Sequence, residues 1–271
     1  MSTVFGMTLG KTVKLLTALQ GGGLDEELAD ELIKREALTE KMVGWLRQQI
    51  NPDPQQLFVS LETQLANVRR WNGIRGWGFT EADFDSVDLT PIEHSGLVVD
   101  VIAVYLPNQG KTSGIQWTFE ELWFIASSHQ PSGWRLPELK SDHKHLRLLD
   151  GIEHVPGIRR VTVDLGANWK LANGIISPMD VRNHYLAHVE ALTHAEVLAA
   201  AAHFPKWVKA MDGEHIPYVW MPGYQVTPSR DENWRYVPGL GWSSDTHQIS
   251  LNTNREYDRG WFWACPVLIE S

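Results

Sequence analysis

The chain is 271 residues long, 43% apolar and 21% charged, with a formal net charge of -9. That balance supports a substantial buried core and excludes disorder over most of the length. It also excludes a protein that holds nucleic acid or anionic membrane through a broad basic surface, because the basic runs are as short as Arg69-Arg70 and Arg159-Arg160.

Residues 1–52 read as a helical N-terminal region. Amphipathic helices are expected over 11–19, 24–34 and 39–49, and Gly21-Gly22-Gly23 forms a joint after the first. The second carries Asp25, Glu26 and Glu27 early and Lys34-Arg35 late, as the helix dipole favours. The start of the chain has no continuous apolar stretch and no small-residue cleavage site, so no secretory signal is expected. No run approaches the ~18 apolar residues of a membrane span. The single cysteine, Cys265, cannot close an intramolecular disulfide, and its apolar flanks mark an inert buried thiol. These features together predict a soluble, cytoplasmic protein.

The body, residues 53–271, mixes helices and strands. Helix is expected over 54–71, followed by a glycine-rich loop over 71–79 and a short helix capped by Thr80 with Asp83. Residues 96–106 form the strongest strand pattern, β-branched and mostly apolar. Thr118 and Glu121 stand at capping-box spacing and predict a helix over 118–126, and 158–165 reads as a second strand. Ser177-Pro178-Met179-Asp180 opens a long central helix by its N-cap, its proline at the first helical position and its early acid. Phe204-Pro205 interrupts that helix, and a short second one runs to Ala210. Strand patterns follow at 218–221, 248–251 and 261–269. Helices and strands do not alternate as in a Rossmann fold or a β/α-barrel. The fold class is therefore α+β: a helical N-terminal region, then a mixed body with an antiparallel, Trp-rich C-terminal sheet.

Candidate chemistry is sparse. The two Gly-Lys-Thr tripeptides, at 10–12 and 110–112, have Phe5 and Tyr105 at the position, five before the Gly-Lys glycine, where a phosphate loop needs its first glycine, so neither makes one. His184 and His188 are one helical turn apart and could offer two metal ligands, with zinc as the natural guest of such a half-site. His194 lies off their face, and no general base accompanies them. The cluster Ser141-Asp142-His143-Lys144-His145 reads as a solvated turn or as a second ligand group. No Gly-x-Ser-x-Gly elbow is present.

Thirteen tryptophans stand out, four of them in the last 38 residues. Tryptophan serves cores and binding surfaces alike. Between 224 and 259, Tyr224, Arg230, Trp234, Arg235, Tyr236 and Trp242 are interleaved with Ser, Asn and Asp. Rigid aromatics among adaptable polar groups are the composition of a paratope-like surface; the alternative is a set of turns whose aromatics pack inward.

Gly133-Trp134-Arg135-Leu136-Pro137-Glu138, Trp242-Ser243-Ser244 and the closing Trp261-Phe-Trp-Ala-Cys265-Pro-Val267 resemble motifs of the C-type-lectin-like and formylglycine-generating-enzyme-like domains. The sequence departs from that pattern where Lys140-Ser141-Asp142-His143 replaces a Glu-Trp helix, and where Pro266 splits Cys265 from Val267. The resemblance implies a compact fold whose C-terminal loops display a ligand-binding surface. The leading expectation is a non-catalytic binding or assembly protein that holds a protein or other macromolecular ligand on those loops. The alternatives are a metal-dependent hydrolase using His184 and His188, and a structural subunit of a larger oligomeric particle docked through its N-terminal arm.

Overall fold

The computed structural model describes residues 54–129, 133–135, 139, 146–167, 177–185, 192–213, 215–226, 235–258 and 262–269. The chain divides after Pro52 into two units, and all of these residues belong to the second, Asp53–Ser271. The three helices expected before residue 52 lie outside the described residues, as does the Ser141–His145 cluster.

A 3-10 turn, Pro54–Leu57, precedes helix α1, Leu61–Arg75. The expected single helix from residue 54 is broken because Ser60 serves as N-cap, its hydroxyl accepting the Thr63 amide. Gly76 ends α1 in the left-handed conformation at φ 67°, which costs a glycine nothing. Helix α2, Glu81–Asp85, starts as the Thr80-x-x-Asp83 spacing implies, with the Asp83 carboxylate accepting the Thr80 amide at 2.7 Å.

Strand β1, Val98–Tyr105, is buried along nearly all its length, so its near-continuous apolar run reads both faces as core. It pairs antiparallel with β4, Gly157–Asp164, which in turn pairs antiparallel with β10, Val267–Leu268. The one acid inside β1, Asp100, lies opposite Thr162 and accepts its hydroxyl at 2.6 Å and the Arg160 guanidinium at 2.7 Å.

Helix α3 spans Gly114–Ser128 and begins four residues earlier than its expected cap. The Ser113 hydroxyl is the N-cap acceptor, for the Gln116 amide. Thr118 lies inside the helix, where its hydroxyl accepts the Leu106 amide at 2.7 Å and ties α3 to β1. Glu121 faces the other way and takes Arg75 in two hydrogen bonds, at 2.6 and 2.8 Å. A capping-box spacing therefore occurs here inside a helix, with both residues committed to tertiary partners.

The long central helix is also corrected. Helix α4, Pro178–Tyr185, and helix α5, His194–His203, are separate, because Thr193 is an extended N-cap. The Glu196 carboxylate accepts the Thr193 amide at 2.8 Å and also the Tyr105 hydroxyl. All ten residues of α5 are buried between β1 and α3, and its alanines allow that close approach. Helix α6, Pro205–Ala210, follows at once, with Pro205 in its first turn.

The second sheet has seven strands: β2 Gly133–Arg135, β3 Leu146–Leu148, β5 Tyr218–Trp220, β6 Tyr224–Val226, β7 Tyr236–Ser243, β8 Gln248–Arg255 and β9 Trp263–Ala264. Its order is β2-β8-β7-β5-β9, with β6 bridging β3 and β7. The hairpin β7–β8 and the pairs β5–β7, β6–β7 and β3–β6 are antiparallel, as expected. The edge pairs β2–β8 and β5–β9 are parallel, so the sheet is mixed. The architecture is α+β. Among the described residues, no helix is long and apolar enough to cross a membrane.

Candidate ligand-binding groove

Strand β7 reads Tyr236-Val-Pro-Gly-Leu-Gly-Trp-Ser, and its alternation splits it between two environments. Leu240 points into the main core, where Val219, Ile249 and Leu251 are also fully buried. Gly239 and Gly241 point to the opposite face, and there the absence of side chains decides what can pack. A Cβ on Gly239 would stand 2.5 Å from the Trp263 ring and 3.1 Å from that of Trp220. One on Gly241 would stand 3.1 Å from the Tyr218 ring. The glycines let three aromatic rings lie down against the sheet.

Those rings order one another. Trp220 and Trp263 stack at 5.3 Å with 9° between their planes, and Tyr218 tilts against Trp263 at 5.4 Å. Trp220 is buried with Val181, Val237 and Cys265. Its indole N–H donates at 3.0 Å to the Asn254 side chain, whose amide is oriented to accept it. Helix α4 clamps this half of the face. Arg182 donates to the Pro222 carbonyl at 2.8 Å, to the Tyr224 carbonyl at 2.7 Å and to the Glu256 carboxylate. Burial pushes the Cys265 thiol well above its ordinary pKa, which makes it the inert thiol its flanks imply.

Beyond α4 the same sheet face is open. A groove of about 340 Å³ lies there, with Gly241 and Ser250 on its floor, Tyr218 and Trp263 on one side, Asn252 beside them, and Trp242, Ser243, Ser244 and Asp245 at the end. Small-molecule sites start at about 300 Å³. Among the described residues, the side chains of Asp245, Ser250 and Asn252 have no hydrogen-bond partner. A further aromatic shares the face. Trp134 pairs with Ser250, which pairs with Gly241, and directly paired residues point the same way. Gly133 and Arg135 alternate to the other face. A Cβ on Gly133 would stand 2.5 Å from Ser127, and Arg135 donates to Glu120 at 2.8 Å, both on α3. Trp134 is left 41% exposed.

The residues expected to form the binding surface are dispersed. Tyr224 is a correction: it is fully buried in β6, its ring edge-on to His194 at 4.5 Å, so it has no surface to offer a partner. Desolvation pushes its phenol above the ordinary tyrosine pKa. Tyr236 is half-buried and, with Trp242, packs toward the main core, although Trp242 also lines the end of the groove. Arg235 is exposed at the start of β7, away from the groove lining. Arg230 and Trp234 lie outside the described residues. His184 belongs to α4, with its side chain outside the description, and His188 lies outside the described residues altogether. Among the described residues, no group of three or more His, Cys, Asp and Glu side chains is placed to hold a metal ion.

In two other polar places most of the polar groups are already paired. A pocket of about 280 Å³ includes Gln64, His94 and Asp100. There, Gln64 donates to the Asp100 carbonyl and accepts the Ile102 amide. Burial alone would raise the Asp100 carboxyl, but the hydrogen bonds from Thr162 and Arg160 outweigh it and hold its pKa low. The Gly110-Lys111-Thr112 segment is a tight turn closed by a Gln109–Thr112 bridge. The first amides of α3 after it are taken by Asn108 and Ser113.

Tyr218, Trp263, Ser250, Asn252, Asp245 and Trp134 were not singled out by sequence reasoning as site residues. The one local signal was the alternation of Gly239 and Gly241 in an otherwise bulky strand, which marks a close approach. No protein-family model, curated protein or solved structure matches the chain.

Proposed function

We propose that this is a non-catalytic binding protein whose ligand lies in the groove over Gly241 and Ser250. The observation that carries the reading is a floor cleared of side chains beside aromatic rings that are already locked by mutual stacking. A ligand entering such a place immobilises no long side chains, so little of its binding free energy is lost to ordering. The unpartnered Ser250, Asn252 and Asp245 side chains supply the few directional contacts that small-molecule sites use for orientation. The C-type-lectin-like resemblance of the sequence agrees with a binding face near the C-terminus. A reducing compartment such as the cytoplasm suits the buried thiol of Cys265.

The test is a nuclear magnetic resonance screen of a small-fragment library with tryptophan indole groups labelled. Ligands are expected to shift the Trp263 and Trp242 indole signals. Gly241→Leu should press on the Tyr218 ring, which a Cβ there already approaches to 3.1 Å, and fill the floor; in protein that still unfolds cooperatively it should abolish those shifts. Ligands that bind while leaving both signals unmoved, or that bind the folded Gly241→Leu protein unchanged, would place function elsewhere.

A further inference from the structure

We propose that a basic and apolar face shared by helices α1, α3 and α6 docks an acidic amphipathic polypeptide segment of a partner protein. None of its residues lines the groove over Gly241.

The three helices meet at one place. The Trp71 ring of α1 stacks at 4.9 Å on that of His203, the last residue of α5. Helix α3 ends beside the same turn, where its C-cap His129 has Nε2 3.1 Å from the Ala202 carbonyl. Helix α6 begins at Pro205, directly after it. Around this junction Arg70 of α1 and Lys206 and Lys209 of α6 are exposed, and the two lysines share a face by their spacing of three. Desolvation lowers the His129 pKa most, and the charges of Arg70 and Lys209 lower it further, as only nearby cations do. Arg69 is held by Glu81 and Asp85 at 3.0 and 3.2 Å. Among the described residues, Arg70, Lys206 and Lys209 have no such pairing.

Basic side chains near helix C-termini commonly answer the helix dipole, which suits His129 and Lys209. It does not suit Lys206, in the first turn of α6, where a cation is disfavoured, or Arg70, more than a turn before the end of α1. Like charges gathered at a surface repel one another, and an anionic group brought to them relieves that repulsion.

An apolar half adjoins the basic one. Ile74, one turn on from Arg70, is 73% exposed, and Phe124 of α3 is 53% exposed. The Arg75 guanidinium lies over the Phe124 ring at 4.5 Å while the Glu121 carboxylate holds it at 2.6 Å. Helices α1 and α3 therefore run side by side in opposite directions, with Arg75 against Glu121 at one end and Arg70 toward His129 at the other. Glu121 to His129 spans about 12 Å, roughly two turns of a docked helix. A segment that fits carries an apolar anchor for Ile74 and Phe124 and, one to two turns away, carboxylates for Arg70, Lys206 and Lys209. A single-stranded nucleic acid fits less well. Arg75 already covers one face of the Phe124 ring, and the unpaired cations sit at one end of the face, whereas a phosphate chain is held by cations along its path.

The experiment is a titration of the intact protein with a labelled acidic amphipathic peptide of about 16 residues, with Leu and Phe on one helical face and Glu on the other. A scrambled peptide of the same composition, polyglutamate and oligothymidylate of matching length are run alongside. The amphipathic peptide is expected to bind most tightly of the four, to move the nuclear magnetic resonance signals of the His129 imidazole and the Phe124 ring, and to weaken as salt is raised. Joint Arg70→Glu and Lys209→Glu changes, both at exposed positions and checked by cooperative unfolding, should weaken it about tenfold or more. Phe124→Ala, checked in the same way, should weaken the amphipathic peptide and leave polyglutamate unchanged. Equal binding by the charge-reversed protein, or a scrambled peptide that binds as tightly, would overturn the proposal. Tighter binding of oligothymidylate at the same signals would overturn the polypeptide class, and no movement of either signal by any probe would overturn the docking face itself.

Discussion

Acid should unfold this protein through two histidines that it buries without charge. His203 is 2% exposed, stacked on Trp71 at 4.9 Å, with Nε2 3.1 Å from the Ile102 carbonyl and Nδ1 unpartnered. His194 is fully buried between Phe119 and Tyr224, and neither ring nitrogen makes a well-formed hydrogen bond. Desolvation lowers both from 6.5 to about 3. The unfolded chain takes up these protons below pH 6.5 and the folded chain refuses them until about pH 3. The stabilisation is therefore complete above pH 6.5 and is lost as pH falls. Each unit costs about 1.4 kcal/mol per histidine, so at pH 4.5 the pair removes about 5 kcal/mol. That is comparable with the whole stability of an ordinary domain, about 5–15 kcal/mol. Carboxylates with depressed pKa values, such as Asp100 and Glu121, lose their contribution only below their ordinary values of 3.8 and 4.5. Between pH 4.5 and 6.5 the histidines dominate, with His129 and His154 shifted in the same direction and Glu120, whose carboxyl burial raises above its ordinary value, acting the opposite way. Urea denaturation at half-unit pH steps across that window measures the slope, and His203→Gln should flatten it by close to one proton. A stability that does not change between pH 6.5 and 4.5, or a His203→Gln slope equal to that of the parent, would refute the reasoning.

Two further substitutions test the local geometry. Gly239→Ala puts a methyl group 2.5 Å from the Trp263 ring and should cost about 1–3 kcal/mol in chemical denaturation, with a changed near-ultraviolet tryptophan signal. An unchanged signal would mean that the ring does not lie on the strand. Thr193→Ala removes the acceptor of the Ala195 amide and the hydroxyl bound to Glu196, and should cost about 1–2 kcal/mol. A variant as stable as the parent would mean that α5 does not start there.

Local pattern carried far in this chain. The run around Val101 and Val104 is β-branched and apolar over a length that only a doubly buried strand explains, and β1 is that strand. Thr80 with Asp83 opens α2 as the spacing implies. Thr193-x-x-Glu196 was an equally legible start for α5. The apolar period through Val189 and Leu192 masked it, because apolar spacing does not reveal where a helix stops and another begins. Thr118 and Glu121 err the other way: the spacing is local, but their hydrogen bonds go to Leu106 and Arg75.

The sequence by itself determined the α+β class, the buried thiol of Cys265, the strength of β1 and the abundance of aromatic side chains. Tertiary structure alone decided which aromatics are core and which face a groove. Tyr224 reads as an accessible ring in a polar loop, yet β6 turns it inward; Trp263 and Tyr218 read only as strand residues, and two glycines on a neighbouring strand hold their rings at a cleft. The groove draws on β2, β5, β7, β8 and β9, and one residue of register slip in any of them would send its side chain to the opposite face. That register is set by pairings between residues as far apart as Trp134 and Ser250, and the periods of two and 3.6 along the chain carry no record of them.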